Sequence, residues 1–218
     1  MLKPKFFIIM CCLSIVNGCA TVETVENPSS TEKSTEKSDY IKNKVFIFPD
    51  GKNYEGEWRA DKANGKGTMI YPSGDRYNGD FRDGKLNGEG VYTYQNGVIY
   101  KGDFRDDKFN GKGILTHPNG IRYEGDFRND KFHGRGVMTY PDGTRYQGGF
   151  QAGKFHGKGI ATKPDGERYE GDFRNNTFNG HGIKTYPDGR VVKGEFRNGQ
   201  EVELGTDSDT KNDEEDEQ

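Results

Sequence analysis

Between residues 45 and 200 the chain alternates rings or glycines with polar residues, two positions at a time. In Tyr123-Glu124-Gly125-Asp126-Phe127 a ring, a glycine and a second ring fall at i, i+2 and i+4, on one face of an extended strand. The segment recurs. Tyr54, Tyr77, Tyr100, Tyr123, Tyr146 and Tyr169 lie 23 residues apart, and Val192 takes the seventh slot. A glycine follows each after two residues (Gly56 through Gly194), and an aromatic stands two further on (Trp58, then Phe81 through Phe196). Later in each unit come Asn-Gly or His-Gly, a second glycine two on, and a closing Pro-x-Gly or similar turn such as Pro141-Asp142-Gly143. This reads as strand, turn, strand, turn, with Asn-Gly and Asp-Gly pairs giving the positive φ of tight turns. Six full hairpins and a half unit at each end then form one antiparallel meander.

The pattern also predicts a register, with pairs whose offsets from the repeat tyrosine sum to 15. Gly125 then faces Gly136, Phe127 faces Gly134, and Tyr123 faces Met138. Glycine weakens a strand, so its recurrence points to rings lying flat on bare backbone. The other face is expected to pair Glu124 with Val137 and Asp126 with Arg135. The fifth unit departs furthest, with Gly149 in place of the acid and Gln151 in place of the usual arginine.

Composition narrows the class. Of 218 residues, 32 are glycine, 30% are hydrophobic and 12% aromatic, which is too little aliphatic carbon for a thick core. Glycine without a three-residue period excludes collagen. The net charge of -3 hides an asymmetry: residues 201–218 carry nine acids and one lysine, and read as an acidic, disordered tail that aids solubility or covers a basic stripe. The repeat body is mildly basic, without the clustered cations of a nucleic-acid binder.

The first residues read as an address. Residues 1–5 are short and basic, and residues 6–16 are an apolar run too short to span a membrane, as in a signal peptide. Val16-Asn17-Gly18-Cys19 resembles the lipobox of bacterial lipoproteins, although Asn17 is unusual there. The resemblance implies removal of residues 1–18, acylation of Cys19 and, from Ala20, an outer-membrane address facing the periplasm. Ordinary cleavage near Gly18–Ala20, leaving Cys19 a free thiol, is the alternative. Cys11 and Cys12 would leave with the leader. Residues 19–44, rich in Ser, Thr, Glu and Lys, are expected to form a disordered tether.

Tyr100-Lys-Gly-Asp-Phe-Arg-Asp-Asp-Lys-Phe-Asn-Gly-Lys-Gly resembles the membrane occupation and recognition nexus (MORN) repeat, and the other units fit with small changes. The resemblance covers about 45–200. It implies an all-β fold: an elongated single-layer antiparallel meander of successive hairpins. A single layer cannot cover both its faces. Tyr77, Phe81, Tyr100, Phe104, Tyr123, Phe127, Tyr146, Phe150, Tyr169 and Phe173 are therefore the candidate interaction surface, or else only stiffen the sheet by packing on glycine. His133 and His156 stand where other units have Asn, and are read as turn residues rather than metal ligands. Members of the acidic row (Glu57, Asp80, Asp103, Asp126, Asp172, Glu195) stand two strands apart, so they do not converge on a metal or a substrate. No nucleophile set, phosphate loop or dinucleotide fingerprint occurs. The expectation is a non-enzymatic, lipid-anchored scaffold of the cell envelope without cofactor, metal, nucleic acid or small-molecule substrate, which binds a protein partner or a second copy of itself. The alternative is direct binding of phospholipid headgroups.

Overall fold

The structure, a computed structural model, describes residues 40–202. The leader, Cys19, most of the tether and residues 203–218 lie outside the described residues. Fifteen strands follow one another in a single antiparallel sheet whose spatial order is the order of the chain. The half unit β1 (Tyr40–Ile47) precedes six hairpins. These are β2 (Asn53–Arg59) with β3 (Lys62–Ile70), β4 (Arg76–Arg82) with β5 (Lys85–Thr93), and β6 (Ile99–Arg105) with β7 (Lys108–Thr116). Next come β8 (Arg122–Arg128) with β9 (Lys131–Thr139), β10 (Arg145–Gln151) with β11 (Lys154–Thr162), and β12 (Arg168–Arg174) with β13 (Thr177–Thr185). β14 (Val191–Arg197) and the short β15 (Gln200–Glu201) close the sheet. Fifteen strands at about 4.8 Å spacing make a ribbon about 70 Å long. The expected fold is thus found, with the first strand starting at Tyr40, five residues ahead of the expected tether boundary.

Two kinds of turn alternate. The Pro-x-Gly turns are as expected: Gly143 has φ +87° and its N–H bonds the Tyr140 carbonyl at 3.0 Å, while the Thr144 N–H bonds Asp142 Oδ1 at 2.8 Å. The turn inside each hairpin lies elsewhere than expected. It is made by pairs such as Asn129-Asp130, both left-handed at φ 49° and 65°, which suits Asn and Asp as well as Gly. The Asn-Gly and His-Gly pairs lie within the second strand of each hairpin. His133 and His156 are therefore strand residues and not turn residues.

That glycine makes a bulge. In the fourth hairpin Gly125 faces Gly136 as the sum of 15 requires, but past the register shift Phe127 faces Phe132, not Gly134. Gly134, at φ +58°, and Arg135 are the two extra residues, and Gly134 faces Phe150 of the next unit instead. A bulge leaves a strand N–H without its ladder partner. Here the Arg135 N–H bonds the Asp126 carboxylate at 2.9 Å, and the equivalent bonds are Glu89 to Asp80 and Lys112 to Asp103. The expected side-chain pair between Asp126 and Arg135 is replaced by this backbone cap. The ion pairs of the acidic row run between units instead, as in Lys66–Asp80 at 2.6 Å and Lys158–Asp172 at 2.8 Å.

Candidate functional site

The glycine pairs seat the rings. A Cβ on Gly136 would lie 2.6 Å from Tyr123 Oη, and one on Gly113 would lie 2.6 Å from Tyr100 Cε2, so no other residue fits under the ring. Each repeat tyrosine then donates its hydroxyl to the carbonyl three residues on, at 2.8 Å for Tyr77, Tyr100, Tyr123 and Tyr146. The phenylalanine of the same unit and that of the next stand edge-on to it: Tyr100 is 5.1 Å from Phe104 and 4.9 Å from Phe127. A third ring lies flat on top, with Tyr100 and Phe109 at 3.7 Å and 9°. Tyr146 on Phe155 and Tyr169 on Phe178 repeat the stack.

The consequence corrects the expected interaction surface. Tyr77, Phe81, Tyr100, Phe104, Tyr123, Phe127, Tyr146, Phe150, Tyr169 and Phe173 are all core residues; Tyr100 is 0% exposed and Phe104 3%. The rings interlock between units and cover one another, so this single layer seals one face with its own aromatics. The covering residue at tyrosine plus nine (Leu86, Phe109, Phe132, Phe155 and Phe178) was missed, though it follows the same 23-residue period. Burial pushes the tyrosine hydroxyls up, to about 12 for Tyr54 and Tyr146, with the charge of Glu57 adding to the effect at Tyr54.

The other face is open. Between two rows of side chains runs a groove floored by the glycine pairs. One stretch, of about 1390 Å³, is walled by Val137, Ile160 and Ile183 on one side and by Arg135, Lys158 and His181 on the other. A second stretch of about 800 Å³, with Val91 and Ile114, meets it at Glu124 and Gly125. Along the Arg135–His181 wall, acids alternate with bases except where Gly149 replaces the acid. Among the described residues, no three His, Cys, Asp or Glu side chains come together as metal ligands would. Among them, too, no helix is long and apolar enough to cross a membrane.

Six consecutive matches to the MORN repeat cover residues 54–189, more than half of the chain, which belongs to this family. As a class it is a repeat-built interaction or membrane-associated module. No curated protein sequence matches it. Among solved structures it is similar to the TCP domain of SAS-4 from Drosophila melanogaster, solved with a proline-rich motif of Ana2, at 15% identity and a TM-score of 0.44, covering 78% of this chain and 98% of that one. The TCP10 domain of Danio rerio CPAP matches at 18% identity and a TM-score of 0.34, over 70% of this chain and 83% of that one.

Proposed function

We propose that the chain is a non-enzymatic scaffold, held by an acylated Cys19 on the periplasmic side of a bacterial outer membrane, that binds a protein partner along its grooved face. The observation behind this reading is the division of the sheet. The rings are spent on each other, and the open face repeats one shallow, mixed-charge cross-section without enclosing a pocket where ionisable groups meet. A periodic trench suits an extended partner better than a small substrate. The anchor rests on the Val16-Asn17-Gly18-Cys19 segment. Its test is acyl-chain labelling in cells, with loss of label and of membrane fractionation in Cys19→Ala. Unchanged fractionation overturns the anchor. Photo-crosslinking from the groove walls tests the surface.

A second reading, binding of anionic lipid headgroups by the sheet itself, draws on a row of exposed Arg and Lys along the tight-turn rim. Vesicles of anionic phospholipid decide it: flotation of Cys19→Ala with them supports it, and its absence at moderate salt removes it.

A further inference from the structure

At the tight-turn rim, cations face each other directly across four successive hairpins, from Arg59 with Lys62 to Arg128 with Lys131. Like charges opposite one another weaken a sheet, so stability does not account for the row. Its compensation changes along the ribbon. In the first three hairpins the turns carry Asp61, Asp83, Asp106 and Asp107 against six cations. At the four remaining tight turns, the closing β14–β15 turn included, five cations meet a single turn acid, Asp130, whose Oδ1 accepts the Phe109 N–H at 2.8 Å as Asp107 Oδ1 accepts that of Leu86. The other turns there are Ala152-Gly153, Asn175-Asn176 and Asn198-Gly199. Among the described residues, each half of the row has one ion pair, Lys85–Asp106 at 3.6 Å and Arg197–Glu195 at 3.7 Å, so the halves differ in their turn acids and not in their ion pairs.

The half with a single turn acid is the half beside which the chain leaves the sheet. Gln200 pairs with Arg197, the last cation of the row, and the Val202 N–H bonds the Glu195 carbonyl at 2.8 Å. Residues 203–218 then carry eight acids and one lysine. We propose that this acidic segment docks in cis on the cations of the last four tight turns, so that any other polyanion must displace it to reach the rim there. The proposal does not depend on the function proposed above.

Length and charge both fit. Sixteen residues span at most about 50 Å extended and about 20–25 Å as a coil. At about 4.8 Å per strand, Lys154 is four strands or about 19 Å from β15, and Lys131 six strands or about 29 Å. Lys62 is twelve strands away, about 58 Å and out of reach. Continuity with β15 holds the segment at an effective concentration in the millimolar range, and salt weakens the attraction as the screening length falls to about 8 Å at 0.15 M.

Zero-length carbodiimide coupling of the full chain in detergent, read by mass spectrometry, tests this directly. At low salt the acids of 203–218 couple to Lys131 and Lys154 within monomers, and not to Lys62. Coupling is lost at high salt. Coupling to neither lysine, equal coupling to Lys62, or coupling only within covalent dimers overturns the proposal. A charge cycle gives a second measurement, with heparin as the probe. Neutralising the eight acids to Asn and Gln raises heparin affinity about tenfold near 0.1 M salt. The gain disappears when Lys131, Lys154 and Arg174 are also changed to Gln. A gain that persists marks general charge repulsion and overturns docking on the row.

Discussion

On the ring face, Tyr100 lies between Phe104, Phe109 and Phe127 with none of its surface exposed, whereas on the opposite face the back of the strand at Gly102 is bare floor between side-chain walls. The same backbone serves both. A glycine that seats a ring on one side leaves the other side a smooth trench. The difference separates stability from recognition by face instead of by domain. Substitutions on the ring face should cost folding, and those on the groove and rim should cost binding with folding intact.

The largest effect is expected where a Cβ meets a ring. Gly136→Ala forces Tyr123 off its seat, because the new carbon lies 2.6 Å from Oη, and should cost at least about 3 kcal/mol. The comparison site is Gly157→Ala. That glycine has φ +72° with nothing within 4 Å of an added carbon, so only the left-handed backbone penalty of about 1–2 kcal/mol applies. Urea denaturation of both variants measures the gap. Equal losses would show that the glycines serve backbone freedom and not ring seating.

Alkali should open the ring face next. Tyr54 and Tyr146 have their hydroxyls pushed up to about 12 by burial, against about 10 in the unfolded chain. A raised folded value means the neutral form is favoured in the fold. That stability is complete below about pH 10 and is lost as pH rises through about 12. Several repeat tyrosines titrate together, so phenolate absorbance and loss of strand signal should rise as one transition in this window. Phenolate formation by the repeat tyrosines near pH 10 with the sheet intact would contradict the burial.

A smaller loss is expected at the bulge. Asp126→Ala removes the carboxylate that holds the Arg135 N–H, at about 1–2 kcal/mol. The fifth unit does without it, since Gly149 stands in the acid position. A Cβ there would run into the His156 carbonyl, so Gly149→Asp should lower the melting temperature instead of restoring a cap.

The 23-residue period made the hairpins, their order and the ring-on-glycine seat legible in the sequence. It misplaced the tight turn because Asn-Gly is the strongest local turn signal, while the chain turns at Asn129-Asp130 and uses the glycine for a bulge. That two-residue error slid Phe127 from Gly134 to Phe132, and with it hid the third ring of each cluster. The exposure expected of the ring face failed for the same reason. Two rings per unit leave outer edges exposed; a third, from Phe109 to Phe178, covers them. Alternation shows which residues share a face, and closure depends on distances between units that no single repeat contains.

The least change in stability and the clearest change in recognition are expected in the groove. Ile160 is half-buried on the wall, where it faces Gln147 and Glu170 rather than the ring core. Ile160→Ser should therefore shift folding by less than about 1 kcal/mol. A photo-reactive residue in place of Ile160 should give discrete crosslinked species in envelope fractions, while the same residue in place of Phe132 on the ring face should give fewer. If Phe132 captures as much as Ile160, the sealed ring face takes part in recognition after all. If neither captures anything, the trench is only the back of a stiff sheet, and the rim cations become the surface through which this protein meets its surroundings.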